Sequence, residues 1–114
     1  MQLTESQLII WLALNDVPIQ IVDTVSVAAS DARRYAAMIR ESVAPVMKDA
    51  GAALIELRMT SPEIGEDVLI QSVWSVADHA EWNRVRRNFF MDPRWLAAWA
   101  KAAPLRLSGT RRFY

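Results

Sequence analysis

The sequence predicts one α+β domain, in which helices cover one face of an antiparallel four-stranded sheet. Apolar and polar residues alternate with a period of two over 19–27 and 68–76, as they do in half-buried strands. After each of these segments, apolar residues recur at helical spacing. The chain has 114 residues, of which 53% are hydrophobic and 23% are charged, so its length suits one domain and its composition is that of a globular protein.

The first residues precede this pattern and predict a helical extension. Thr4 is followed three positions later by Gln7, which fits a capping box, and an apolar run comes next. Pro18 forbids continuation of that helix. We therefore expect residues 1–16 to form an N-terminal helical extension and residues 17–114 to form the domain.

The first strand and the first long helix follow in that order. Over 19–27 the strand alternates, and Ser30 is then expected to cap the helix. Pro45 is expected to kink this helix and Gly51 to end it. Its predicted buried face consists of apolar and aromatic residues at helical spacing: Tyr35, Met38, Ile39, Val43, Val46 and Met47.

The second and third predicted strands follow the first long helix. Residues 52–60 and 68–76 are joined by a short turn at 61–67, so an antiparallel hairpin is the simplest pairing. The predicted faces of the second strand are Ile55, Leu57 and Met59 on one side and Glu56 and Arg58 on the other.

Two capped helices and a last strand complete the pattern. Asp78 with Glu81 resembles a capping arrangement, and Asp92 followed by Pro93 predicts an N-cap and a first helical residue. Pro104 is expected to end the second of these helices before a strand over 105–113. The predicted faces of that strand are Leu105, Leu107 and Phe113 on one side and Arg106, Thr110 and Arg112 on the other.

The order strand–helix–strand–strand–helix–strand is that of the split βαβ, ferredoxin-like fold. Both long helical segments must then cover one face of the sheet. The other face keeps apolar side chains among polar ones, namely Val22, Leu54, Leu69 and Val73. An open face of this kind predicts a partner, and pairing two such sheets in a closed dimeric barrel would bury it.

Composition excludes several classes of site. No cysteine is present, which rules out disulfides and thiolate metal sites, and a single histidine leaves little for metal binding. Thirteen basic and thirteen acidic residues give a net charge of zero, so we expect no nucleic-acid partner. No apolar run reaches 18 residues and no basic leader begins the chain, so we expect a cytoplasmic protein without membrane contact.

The segment after the third strand carries a family resemblance. Val73-Trp74-Ser75, the helix over 78–88 and Asp92-Pro93-Arg94-Trp95 resemble the dimeric α+β barrel superfamily, and within it the NIPSNAP-like branch. The resemblance covers about residues 17–114 and implies a homodimer with a hydrophobic pocket. The superfamily includes cofactor-free monooxygenases, cyclases, isomerases and haem-degrading enzymes. The haem-degrading members depend on a histidine inside a helix, whereas His79 starts its helix, so the resemblance does not imply haem. We expect no cofactor.

Three residues are candidates for catalysis. Asp23 interrupts the apolar face of the first strand, and a carboxylate in an apolar pocket suits general acid–base work. A β-bulge, or a salt bridge to Arg58 or Arg111, is the structural alternative. His79 could act as a base at the pocket mouth, or be an exposed first-turn residue. Tyr35 could orient a substrate oxygen, or serve only in packing.

Six aromatic residues are dense for so small a domain, and they would either fill the core or line a pocket for a flat or alicyclic ligand. They are Trp74, Trp82, Phe89, Phe90, Trp95 and Trp99. The sequence therefore favours a cofactor-independent enzyme that acts on a small aromatic, polyketide-like or alicyclic molecule by isomerisation, cyclisation or oxygenation. The alternative is a non-catalytic ligand-binding or assembly protein of the same fold.

Overall fold

The sheet has the strand order β2-β3-β1-β4, with every neighbouring pair antiparallel, in a computed structural model that describes residues 4–7, 18–61, 63 and 65–114. This order confirms the predicted ferredoxin-like α+β fold. The elements in chain order are β1 (Ile19–Val27), a 3₁₀ turn (Ala29–Asp31), α1 (Ala32–Met38), a π-helical turn (Ile39–Val43), α2 (Ala44–Ala50), β2 (Ala53–Met59), β3 (Val68–Val76), α3 (His79–Phe90), α4 (Pro93–Ala102), a second 3₁₀ turn (Ala103–Leu105) and β4 (Arg106–Phe113).

The core lies between the helices and one face of the sheet. Strand β1 is central, and its residues Ile21 and Val25 are buried on the helix side. One group of buried side chains, which includes Trp82 and Val85, packs beneath α2 and α3. A second group, which includes Tyr35, packs beneath α1. The alternation over 19–27 and 68–76 therefore identified both central strands with their observed bounds.

The helix ends agree with the sequence at three of four positions. Asp78 Oδ1 accepts a hydrogen bond from the Glu81 N–H at 2.7 Å, and Asp92 Oδ1 accepts one from the Arg94 N–H at 2.9 Å. Gly51 ends α2 in the left-handed region at φ +117°, which glycine adopts without strain. Ser30 does not cap a helix, because it lies inside the 3₁₀ turn, and neither N-cap position there makes a side-chain cap bond.

Pro45 perturbs the first long helix through the turn that precedes it. Proline has no N–H to donate to a carbonyl of the preceding turn, so regular α-helical bonding cannot continue through it. The chain widens into the π-helical turn Ile39–Val43, and α2 then begins with Pro45 in its first turn. The kink predicted at Pro45 is therefore a change from α-helical to π-helical winding just before it.

Two β-bulges correct the predicted strand faces. In β2 the register shifts between Leu54 and Glu56, so Leu54 packs against the core and Ile55 is 52% exposed, opposite to the prediction. In β4 the shift leaves Leu107 as the extra residue and pairs Arg106 with the buried Val27. An extra residue inverts the side-chain alternation beyond it, so Arg106 lies on the helix side of the sheet.

The N-terminal prediction is described only at its start. The Thr4 N–H donates to Gln7 Oε1 at 3.0 Å, and the Gln7 N–H donates to Thr4 Oγ1 at 3.2 Å, which is the predicted capping box. The rest of the predicted helix falls in 8–16, outside the described residues. Among the residues that are described, no helix is long and apolar enough to cross a membrane.

Candidate functional site

A cavity of about 420 Å³ opens between the sheet and the helices. Strands β1, β3 and β4 form its floor, while α1, the π-helical turn and the start of α2 form one side. The end of α3 and α4 form the other side. Its apolar lining consists of Val25, Ile39, Val43, Met47, Ile70, Trp74, Phe89, Phe90, Trp95, Trp99 and Ala102. A volume of this size suits a small organic ligand.

Polar side chains converge on the floor of this cavity. Arg111 Nε donates to Asp23 Oδ1 at 2.6 Å, and its Nη2 donates to Oδ2 at 3.1 Å, so the pair is bidentate. The Arg111 guanidinium lies 5.3 Å from the centre of the Trp82 ring, which supports it from behind. Asp23 is therefore held in a fixed orientation on the cavity floor.

The hydroxyl of Tyr35 lies in the same polar region. Tyr35 is only 3% exposed, and burial raises the pKa of its hydroxyl above the ordinary value. The positive charge of Arg106 opposes this rise in pKa, while the negative charge of Asp23 adds to it. The hydroxyl therefore stays protonated at neutral pH and can donate a hydrogen bond into the cavity.

Arg106 brings a second guanidinium to the cavity wall. Its charged group lies 4.9 Å from the centre of the Trp99 ring, in a cation–π contact. A Cβ atom at Gly109 would overlap this guanidinium, so the absence of a side chain there gives Arg106 its place. Arg106 forms no ion pair with any carboxylate of the residues that the structure describes.

The aromatic wall is a continuous series of ring contacts along α3 and α4. The rings of Trp95 and Trp99 are parallel within 7°, with centroids 5.6 Å apart. The ring centroids of Phe90 and Trp95 are 4.8 Å apart. The centroid of Phe89 lies 5.3 Å from those of both Phe90 and Trp95. Two of these contacts are stacked and two are tilted by 50° or more, and together the rings give the cavity an apolar aromatic wall.

The structure brings two of the three candidate catalytic residues together. Asp23 and Tyr35 line the cavity, whereas His79 is exposed at the start of α3 and lies outside it, 6.0 Å from the ring of Phe113. Of the six predicted ligand-binding aromatics, Trp82 packs in the core behind the cavity. The other five line it: Trp74, Phe89, Phe90, Trp95 and Trp99.

Sequence reasoning missed Arg106 and left Arg111 as one of two possible partners of Asp23. Strict alternation in the last strand places Arg106 on the wrong face, because the bulge at Leu107 is invisible to it. One available signal was Gly109, since a glycine inside a strand often marks a close approach of another group. The cavity contributions of Ser72 and Thr110 were not predicted either.

The described part of the chain has no group of three or more histidine, cysteine, aspartate or glutamate side chains that could hold a metal ion. The polar side chains of the cavity are therefore one carboxylate, two guanidinium groups and the hydroxyls of Tyr35 and Ser72, whereas Thr110 pairs with Thr24, whose side chain is on the open face of the sheet.

Fold and cavity together define a ferredoxin-like α+β domain with an aromatic-walled pocket beneath its helices. Solved NIPSNAP proteins share this fold. One from Agrobacterium tumefaciens is 20% identical with a TM-score of 0.72, over 85% of this chain and 90% of that one. An uncharacterized NIPSNAP domain protein from Burkholderia xenovorans is 14% identical with a TM-score of 0.70, over 84% and 91%. The NIPSNAP resemblance is thus confirmed in the fold.

A third similar structure has a different description. It is a candidate antibiotic biosynthesis monooxygenase from Caulobacter crescentus, 16% identical with a TM-score of 0.61, over 91% of this chain and 94% of that one. No protein-family model and no curated protein matches the sequence. At these identities the similarity establishes the fold, so the function has to be argued from the cavity.

Proposed function

We propose that this chain is a cofactor-independent enzyme that acts on a small aromatic, polyketide-like or alicyclic molecule bearing a carbonyl or hydroxyl oxygen. The observation that carries the proposal is the presence of the Asp23 carboxylate and the neutral Tyr35 hydroxyl on one aromatic-walled cavity. The first group can accept a proton and the second can donate a hydrogen bond to an oxygen.

Isomerisation, cyclisation and cofactor-free oxygenation share a first step that these two groups can perform. Asp23 takes a proton from a carbon next to the substrate carbonyl, and the C–H electron pair moves to form an enolate. The Tyr35 hydroxyl donates a hydrogen bond to the enolate oxygen, where the negative charge develops. In an isomerisation the proton returns from Asp23 to a different carbon. In an oxygenation the enolate carbon gives its electrons to dioxygen, a C–O bond forms, and the proton on Asp23 passes to the reduced oxygen to give a hydroperoxide.

Arg111 is a positioning residue in this scheme. Its two hydrogen bonds each engage one lone pair of a carboxylate oxygen, and each oxygen keeps another acceptor site. The contact of Arg111 with Trp82 fixes the direction of the pair. His79 has no part in the scheme, because its side chain lies outside the cavity.

The proposal includes assembly as a homodimer through the open face of the sheet. Leu69 is 46% exposed on that face, where Val22 and Val73 also lie. Apolar groups in such a position are stabilised by burial against a second sheet. The dimer implied by the family resemblance would supply that second sheet.

Hydrogen–deuterium exchange of 2-tetralone in D₂O, followed by proton NMR, tests the enzyme proposal. Wild-type protein should accelerate exchange of the protons next to the carbonyl, and Asp23→Asn should reduce the acceleration by about 10²-fold or more. Tyr35→Phe should reduce it by about 10²-fold, because an oxyanion donor is lost. His79→Gln is the matched control and should exchange like wild type. Equal rates with Asp23→Asn and wild type would overturn the assignment of the base.

A non-catalytic ligand-binding role is the second candidate, and the Asp23–Arg111 pair is the observation that favours it. Both carboxylate oxygens already accept hydrogen bonds, as they would in a purely structural ion pair. This role predicts that 2-tetralone quenches the fluorescence of the cavity tryptophans without faster exchange. Binding without exchange would therefore select it over the enzyme.

A further inference from the structure

We propose that the ligand of this cavity carries an anionic group, such as a carboxylate or a phenolate, and that Arg106 is the residue that binds it. The inference rests on the proposed function, because it concerns the same cavity, and it names the chemical class of the substrate. The ligand would place its flat apolar part against Trp95 and Trp99 and its anion beside the guanidinium.

The charges on the cavity wall leave one cation uncompensated. Arg111 and Asp23 neutralise each other through their bidentate pair. Of the described residues that line the cavity, Asp23 is the one carboxylate, and it is already paired. Arg106 thus brings a net positive charge to a largely apolar cavity, where an anion is bound more strongly than in water.

Arg106 is held in a geometry suited to binding an anion. Its guanidinium lies 4.9 Å from the centre of the Trp99 ring, and Trp99 in turn stacks on Trp95. The contact uses the ring of Trp99, and no described carboxylate forms an ion pair with Arg106, so its N–H fork, whose geometry matches a carboxylate, can bind a ligand anion.

Two local features of β4, a bulge and a glycine, position the side chain of Arg106 in the cavity. The bulge at Leu107 turns Arg106 toward the helix side, and Gly109 leaves open the space that the guanidinium occupies. The Tyr35 hydroxyl is near enough for the Arg106 charge to lower its pKa, against the larger effect of burial. An anionic oxygen of the ligand bound beside Arg106 could thus accept hydrogen bonds from both its guanidinium and the Tyr35 hydroxyl.

Two fluorescent probes that differ by one charged group test the inference. 8-Anilinonaphthalene-1-sulfonate is anionic, and N-phenyl-1-naphthylamine is the same molecule without its sulfonate. Wild-type protein should bind the anionic probe more tightly, and Arg106→Gln should weaken that binding by about tenfold or more. Binding of the neutral probe should change less than about twofold, because the aromatic wall is intact.

Two further variants separate the position of the charge from its presence. Gly109→Ala keeps the charge of Arg106 but displaces the end of its side chain, so it should weaken binding of the anionic probe, and by less than Arg106→Gln does. Arg112→Gln is the matched control, since Arg112 lies on the same strand but on the open face, opposite Val22. It should leave both affinities unchanged, with circular dichroism confirming that each variant is folded.

The outcomes distinguish this inference from the proposed function. Equal effects of Arg106→Gln on the two probes, or no effect on either, would overturn the anion site and leave the enzyme proposal standing. If Arg106→Gln weakens binding of the anionic probe alone, and wild type does not accelerate the exchange of 2-tetralone, the anion site is supported and the enzyme proposal is wrong. Failure of wild type to bind either probe would overturn the anion site, whereas the enzyme proposal is decided by the exchange of 2-tetralone.

Discussion

Asp23 and Arg111 stand directly opposite each other on β1 and β4, and their side chains close a bidentate ion pair on the helix side of the sheet. The same pair forms part of the cavity floor. From its position in β1, Asp23 looks like an isolated charge among core residues. Its charge is in fact compensated by Arg111, its cross-strand neighbour. Such a pair can stabilise the sheet and orient a catalytic group at once.

The stability that this pair contributes is measurable with a double-mutant cycle. Asp23 is 20% exposed and Arg111 is 44% exposed, so solvent screens the interaction, and we expect a coupling free energy of about 1 kcal/mol. Urea unfolding of wild type, Asp23→Asn, Arg111→Gln and the double variant would give it. The coupling should fall with added salt. A coupling indistinguishable from zero would contradict a stabilising pair.

The hydroxyl of Tyr35 should titrate late. Burial raises its pKa above the ordinary value of 10.0. In Tyr114→Phe, Tyr35 is the one remaining tyrosine of the sequence, so the phenolate absorbance near 295 nm reports it alone. We expect a midpoint above that of free tyrosine. A midpoint at or below it would show that the hydroxyl is solvated and would remove the argument for a buried donor.

The same shift has a consequence for stability at high pH. A pKa that is higher in the folded state stabilises the fold fully below the unfolded value, and this contribution is lost as pH rises through the folded value. Unfolding of wild type should therefore become easier above about pH 10, and the loss should be smaller in Tyr35→Phe. Parallel pH dependence of the two proteins would contradict this.

Asp92 should stabilise the start of α4 in a pH-dependent way. Hydrogen bonds from the Arg94 side chain and backbone hold the pKa of Asp92 below its ordinary value. Arg94 Nη1 also donates to Asp49 Oδ2 at 3.0 Å, and this contact ties α4 to α2. Asp92→Ala should lower the melting temperature by several degrees through loss of the cap. Asp92→Asn should lower it less, because asparagine also caps helices.

The pH dependence separates the charge of Asp92 from its capping role. With a lowered pKa, the charge stabilises the fold above the ordinary value of 3.8, and this contribution is lost as pH falls through the folded value. The advantage of wild type over Asp92→Asn should therefore disappear in acid. An advantage of wild type that does not shrink as pH falls below 3.8 would have to come from a source other than the carboxylate charge.

A charge on the open sheet face should dissociate the proposed homodimer. Leu69→Lys would place an ammonium group in the expected interface, where burial is costly. Size-exclusion chromatography with light scattering should find a dimer for wild type and a monomer for the variant. Leu96→Lys is the control, because Leu96 is 51% exposed on α4, away from that face. A monomeric wild type would make the homodimer proposal wrong.

Much of the fold was predictable because its signals are local. Alternation identified β1 and β3 with their observed ends, and Asp78, Asp92 and Gly51 marked helix ends through bonds to residues two to four positions away. Alternation also placed Asp23 on the core side of β1, and Arg111 was one of two partners named for it. The statements about the strands, the helix ends and the facing of Asp23 depend only on backbone geometry within a few residues.

The site itself required the tertiary structure. The bulges in β2 and β4 depend on how each strand pairs with its neighbour, and one inserted residue inverts the facing of Leu54 and Arg106. Which aromatics line the cavity and which fill the core depends on how α3 and α4 pack over the sheet, and this separates Trp82 from Trp99.

The sequence by itself therefore determined the order of elements, the central strands and the helix ends. The tertiary structure decided the partner of Asp23, the exclusion of His79 from the cavity and the entry of Arg106 into it. The physical reason is that side-chain periodicity and capping act over a few residues of chain. Strand register and cavity shape arise from contacts between residues far apart in sequence, such as Asp23 and Arg111, which are 88 positions apart.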